Sequence, residues 1–281
     1  MKISLFLNRR RQKEEQVAYY QSLREYLEAL DKAGKLVTIK SPINKDTQLI
    51  PFTKLQDRGL PKAQQKAFLF TNVFDSRGIK YDMPVAYDVL NGFYAIGLQC
   101  QPDEVQEKVA QALLHPVNPR LVEQGPVQEV VYMGDRLLQK GGMDEFPVPN
   151  THPGYDAGPI MSASMWVTKD PDTGIRNVGL YRSHVYAKDR LGIHMAGPGR
   201  HITQPWQKCR ARGIPLEAAI VVGGPPNLIY IGNLSIPFGV DEYTVAGAMA
   251  GEPVELVKCK TVDLEVPANA DIVFEGKLTT E

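Results

Sequence analysis

The sequence predicts an α+β fold, a small α/β domain followed by a β-barrel domain. Three observations carry this. Up to about residue 120, helical and strand patterns alternate. Beyond Gly125, short β-prone runs are separated by turn-rich stretches. One turn signal, Asp170-Pro171-Asp172-Thr173-Gly174, joins two such runs as a hairpin.

Residues 1–20 have little pattern and read as an extension. Leu23, Tyr26, Leu27 and Leu30 then follow the spacing of an amphipathic helix, with Ser22 as N-cap and Gly34 as its left-handed stop. Residues 36–39 read as a strand. Asp103 is expected to cap a second helix carrying Val105, Val109 and Leu113, ending before Pro116. The first domain is therefore set at 21–120 and the second at 121–281. In the second, residues 130–132 are β-prone, and strands are expected at 162–168, 177–186, 218–222, 254–260 and 272–274. Helices are expected at about 204–212 and at 242–249, the latter capped by Asp241 and ended near Gly251.

The 281 residues are ample for a core, and 43% hydrophobic with 23% charged residues describe a soluble, globular chain. Thirty-two basic and thirty-two acidic residues cancel, which removes any global attraction to nucleic acid or anionic membrane. Three scattered cysteines show no metal-ligand spacing and suit a reducing compartment. The apolar run at residues 3–7 is too short for a secretory leader, and no run approaches a membrane span. A cytoplasmic location is expected.

Four constellations stand out. In the strand Asn177-Val178-Gly179-Leu180-Tyr181-Arg182, a guanidinium suits a carboxylate or phosphate; the alternative is a strand whose polar residues face solvent. Strict alternation puts Asn177 and Arg182 on opposite faces, so a shared site requires a bend or bulge, for which Gly179 is the candidate. The turn from His194 to His201 is Gly-rich and carries Arg200, which suits an anion or an ordinary surface turn. Asp241-Glu242 opens a helix, where acidic residues are routinely caps. Asp263, Glu265 and Asp271 lie in an apolar segment, as acid–base groups or as strand-end partners of lysine and backbone. No dinucleotide fingerprint is present, and Gly223-Gly224-Pro225-Pro226 is too stiff to serve as one, which weighs against a nicotinamide-dependent flavin reductase.

Taken in order, residues 22–39, 170–182, 192–201, 220–226, 241–247 and 251–276 resemble the UbiD family of reversible decarboxylases of aromatic and α,β-unsaturated acids. The most specific stretch runs from Gly251-Glu252-Pro253-Val254-Glu255-Leu256-Val257-Lys258-Cys259 to Ile272-Val273-Phe274-Glu275-Gly276. The resemblance implies a split β-barrel, similar to flavin reductases, as the second domain. It implies prenylated FMN, supplied by a flavin prenyltransferase and held through a divalent metal, usually Mn2+, with K+ nearby. The family's metal ligands fall on Asn177, His201 and Glu242, and its cofactor contacts on Leu180, Tyr181, Arg182, His194, Met195, Ala196 and Arg200. Its catalytic arginine falls on Arg182. The family's proton-donating carboxylate lies after a stretch matching Phe274-Glu275-Gly276, and the sequence in hand stops at Glu281. The expectation is a carboxy-lyase that needs further C-terminal sequence or a partner subunit, and that forms oligomers. The alternative is a non-catalytic flavin-binding or assembly subunit.

Overall fold

The structure is a computed structural model and describes residues 19–195 and 200–280. Of the extension expected over 1–20, only Tyr19 and Tyr20 fall within them. Helix α1 (Leu23–Lys32) begins as predicted: Ser22 Oγ accepts from the Glu25 N–H at 3.2 Å. Tyr26 and Leu30, one turn apart, are fully buried, and a buried apolar side chain of this size contributes about 1.5–3 kcal/mol. The chain leaves the helix through Gly34, whose φ of +67° disfavours any residue with a Cβ.

Then follow β1 (Leu36–Ile39), β2 (Ile43–Asn44), α2 (Leu49–Gly59), β3 (Ala67–Phe70), β4 (Val73–Phe74), β5 (Lys80–Tyr81), β6 (Val85–Tyr87), α3 (Tyr94–Gly97) and α4 (Val105–Leu114). They make two three-stranded sheets, β1-β3-β6 and β2-β4-β5. Helix α2 is unannounced in the sequence because its N-cap, Gln48, makes no side-chain capping bond. Asp103 is not the cap of α4. That place belongs to Glu104, whose carboxylate turns back to accept from the Gln101 N–H at 2.9 Å.

The remaining elements are β7 (Arg120–Leu121), α5 (Asp135–Gln139), β8 (Ile160–Met161), β9 (Met165–Lys169), β10 (Arg176–Leu180), β11 (Ser183–Ala187), β12 (Arg190–Ile193), α6 (Thr203–Ala211), β13 (Leu216–Val222), α7 (Pro226–Gly232), α8 (Glu242–Ala250), β14 (Glu255–Lys258), β15 (Glu265–Pro267) and β16 (Ile272–Leu278). Their sheets run β10-β9-β13-β16, β12-β11-β8 and β15-β14-β7. Among the described residues these stay separate small sheets, and none closes into a barrel. Residues 130–132 form no strand, and Val130 is exposed. The strand expected over 177–186 is two strands in two sheets. It breaks where Tyr181 N–H donates to the Ser164 carbonyl at 3.2 Å and Tyr181 O accepts from Ser164 Oγ at 2.6 Å. Helix α7 starts inside the Gly-Gly-Pro-Pro turn, since a proline at the first helical position loses no hydrogen bond.

The four-stranded sheet is buried on both faces. On one, Met165, Val167, Val178, Ala219 and Val221 pack with α7 and α8 in a core that reaches Leu98 and Ala112. On the other, Trp166, Ala218 and Ile220 pack with Tyr181 and Ile202. Directly opposed residues of antiparallel strands share a face, so Asn177 and its partner Thr168 lie on the second. No helix among the described residues is long and apolar enough to cross a membrane.

Candidate functional site

The hairpin β9–β10 and the first turn of α8 build one polar centre inside this core. The register pairs Asn177 with Thr168 and Arg176 with Lys169. Helix α8 is started by Asp241, whose Oδ1 accepts from the Tyr243 N–H at 3.0 Å, and it ends at Gly251 with φ +79°. That start puts Glu242 against the open edge of β10. Asn177 Nδ2 donates to Glu242 Oε1 at 3.1 Å, and the Val178 N–H donates to Oε2 at 2.8 Å. Glu242 thus occupies a ladder position that no neighbouring strand fills among the described residues.

This centre is dry. Glu242 is 3% exposed and Asn177 9%. Burial pushes the Glu242 carboxyl up to about 7, and the neighbouring Asp241 adds to the shift. The N–H groups of Val178 and Glu242 itself and the Asn177 amide oppose it. Asn177 Oδ1 and Thr168 Oγ1 are both buried without a hydrogen-bond partner among the described residues. Buried oxygens seldom stay unpaired. Two on one sheet face, beside a carboxylate held near neutrality, suit a hard cation that takes oxygen ligands. The two Glu242 oxygens can together accept about four hydrogen bonds or ligand contacts, and their three donors leave capacity for such an ion.

One step outward, the charges are fully paired. Arg176 donates to Asp241 Oδ2 through Nε (3.0 Å) and Nη2 (2.5 Å), and to Glu265 Oε2 through Nη1 (2.8 Å). Lys169 Nζ donates to Glu265 Oε1 at 3.0 Å. Burial works against the Arg176 charge, yet Asp241 and Glu265 raise its pKa overall. Burial likewise disfavours the Glu265 carboxylate, and Lys169 with Arg176 outweighs it, holding the group below its ordinary range. Glu265 is therefore an ion-pair partner, the second of the two readings given to that acidic segment.

The other end of the β10–β11 segment is open. Tyr181 is buried with its ring over Gly179, where an added Cβ would lie 2.7 Å from the ring. That close approach, rather than a bulge at Gly179, explains the glycine; the bend itself comes at Tyr181–Arg182. The Tyr181 hydroxyl accepts from the Ile202 N–H at 3.3 Å. Burial raises its pKa, and it lies near enough to Glu242 and Arg200 to feel both charges. Arg182 is exposed, and its side chain makes no hydrogen bond or ion pair among the described residues; its carbonyl accepts from the His194 N–H at 3.1 Å. His194 and Arg200 are exposed as well, Leu180 packs against the first core, and Met195 packs against the second. Ala196 lies outside the described residues.

Of the three expected metal ligands, Asn177 and Glu242 are in contact, whereas His201 sits half-buried with its ring edge-on to Phe238, centroids 5.4 Å apart. Among the described residues no three His, Cys, Asp or Glu side chains are grouped for a metal. The sequence reading missed Thr168 and Arg176. Both follow from folding the predicted hairpin about its turn, which sets Thr168 across from Asn177 and leaves Arg176 beside it.

Residues 120–281 match the family model described as UbiD, 3-octaprenyl-4-hydroxybenzoate carboxy-lyase Rift-related domain. An uncharacterized protein of Aquifex aeolicus is 35% identical over 285 residues, 93% of this chain and 56% of that protein. Anhydromevalonate phosphate decarboxylase of Methanothermobacter thermautotrophicus is 32% identical over 199 residues, 70% of this chain and 44% of the enzyme. Among solved structures, an evolved dimeric form of the UbiD-class enzyme HmfF from Pelotomaculum thermopropionicum, in complex with prFMN, superposes with a TM-score of 0.78 at 32% identity, over 92% of this chain and 57% of that one. Vanillic acid decarboxylase ShVdcCD of Sedimentibacter hydroxybenzoicus, in closed form, superposes at 0.80 with 26% identity, over 92% and 55%. This chain belongs to the UbiD family, and it spans about half the length of the curated relatives it matches.

Proposed function

We propose that this member of the UbiD family is the flavin-binding part of a carboxy-lyase that reversibly decarboxylates an aromatic or α,β-unsaturated carboxylic acid with prenylated FMN. The observation that carries the reading is the buried Asn177–Glu242 pair, whose Asn177 Oδ1 has no partner among the described residues, on the same segment as an exposed Arg182. In this reading residues 21–120 are an N-terminal α/β domain, and residues 121–281 a split β-barrel whose small sheets are its staves. The protein works in the cytoplasm as an oligomer, and a flavin prenyltransferase supplies its cofactor.

Asn177 Oδ1 and the Glu242 carboxylate would hold a divalent cation, Mn2+ in the first instance, which would supply positive charge for an anionic cofactor. His201 would be the third ligand, and K+ a second cation of the site. Leu180, Tyr181, Arg182, His194, Met195, Ala196 and Arg200 would line the cofactor, with Arg200 supplying positive charge. When bound, prenylated FMN supplies the electron sink for loss of carbon dioxide. Arg182 orients the substrate carboxylate with its guanidinium fork. The proton that replaces carbon dioxide comes from a carboxylic acid outside these 281 residues, in a longer polypeptide or a partner subunit.

The partial span of the relatives favours one second reading, a flavin-binding subunit that does no chemistry. Turnover of an aromatic acid by the chain, loaded with cofactor and joined to its remaining sequence or partner, separates the two. The decarboxylase reading predicts turnover that Arg182→Ala abolishes while flavin stays bound. Flavin binding with no turnover in any assembly overturns it.

A further inference from the structure

We infer that Arg176 is a positioning residue for the cation site, clamping the start of α8 to β10 so that Glu242 and Asn177 meet in fixed register. The inference rests on the cation reading above and adds a residue to it.

Two cross-links join the same two elements at neighbouring positions. Arg176 grips Asp241, and the next residues along, Asn177 and Glu242, bond each other. The two Asp241 oxygens divide the work. Oδ1 starts the helix by accepting from the Tyr243 N–H, and Oδ2 accepts two guanidinium bonds. The orientation of the first helical turn is therefore tied directly to Arg176. Glu265, itself held by Lys169, fixes the guanidinium from the other side, and the Arg176 guanidinium lies 5.7 Å from the centre of the Tyr243 ring. Arg176 and Lys169 offset Asp241 and Glu265 in this network, and the exposed Asp263 lies at its edge, 4.0 Å from Lys169 Nζ. The contribution of the network is geometric. A planar arginine fork with three bonds fixes direction in a way a lysine point charge cannot. Partners that orient a metal ligand typically govern affinity tenfold to a hundredfold.

The test is Mn2+ titration by calorimetry, with FMN present, on the native chain and on Arg176→Gln, Arg176→Lys, Asp241→Asn, Asn177→Ala and Glu242→Gln, each with its metal-free thermal midpoint. Arg176→Gln is expected to weaken Mn2+ binding about 10- to 100-fold, and Arg176→Lys is expected to recover part of that loss. Asp241→Asn is expected to weaken binding without adding to Arg176→Gln, as members of one network do. Should Arg176→Gln fail to fold, Arg176→Lys and Asp241→Asn carry the same comparison. A lowered thermal midpoint with Mn2+ affinity within about twofold of native in the Arg176 variants, while Asn177→Ala abolishes binding, overturns the inference and leaves the cation reading standing. Native affinity in Asn177→Ala and Glu242→Gln as well overturns both.

Discussion

Arg176 and Arg182 stand at the two ends of one seven-residue segment and live in opposite surroundings. Arg176 is three-quarters enclosed or more, with 18% of its side chain exposed, and its bonds to Asp241 and Glu265 are complete. Arg182 is exposed, and its guanidinium makes no ion pair or hydrogen bond among the described residues. The chemistry of arginine is the same at both ends, and the backbone makes the difference. Arg176 lies within a strand packed against α8, whereas Arg182 follows the break at Tyr181 that separates β10 from β11. A saturated arginine holds the protein together. An unsaturated one is free to hold something else.

The largest effects should come from exchanging these roles. Asn177→Ala and Glu242→Ala are expected to release flavin and metal together, read by absorbance and elemental analysis. Arg182→Ala is expected to keep both and, in the complete assembly, to lower turnover on the order of 10²-fold or more. Stability should separate the arginines in the reverse sense. Arg176→Ala leaves Asp241 and Glu265 without their shared cation and should cost about 3 kcal/mol in chemical denaturation. Arg182→Ala should stay within about 0.5 kcal/mol of native.

The pH dependence of the metal-free protein sharpens the same contrast. Glu242 has a carboxyl raised by burial from an ordinary 4.5 to about 7. Between those values the folded state holds a proton that the unfolded chain has lost. The contribution of this residue to stability therefore falls as pH rises through that window, and levels off above about 7. Denaturation curves for Glu242→Gln should lack this decline, so the difference between the variant and the native protein should grow from pH 4.5 to 7. The smallest effect concerns Thr168. Thr168→Val keeps the shape and removes a buried hydroxyl that has no partner among the described residues, and should stabilise the metal-free protein by about 1 kcal/mol.

Local signals in the sequence were sufficient where one residue decides the outcome. Ser22 and Asp241 cap their helices, and Gly34 and Gly251 stop them. They failed where tertiary contacts decide. Residues 130–132 have the composition of a strand but pair with no neighbour among the described residues. The break at Tyr181 depends on Ser164, seventeen residues earlier. Asn177 and Glu242 were legible as a pair only through the family resemblance, because sixty-five residues separate them. Arg176 was hidden for a different reason: beside Asn177 it reads as an ordinary strand cation, and its three bonds come from two distant segments.

The central proposal is that the buried end of this segment holds the cation that retains the cofactor, while Arg182 at the open end serves the substrate. Flavin and divalent-metal content per chain, measured side by side for Asn177→Ala and Arg182→Ala purified from a host that makes prenylated flavin, tests it most directly. The account predicts about one flavin and one metal per chain in Arg182→Ala and neither in Asn177→Ala. Equal content in the two variants, whether retained or lost, would contradict it.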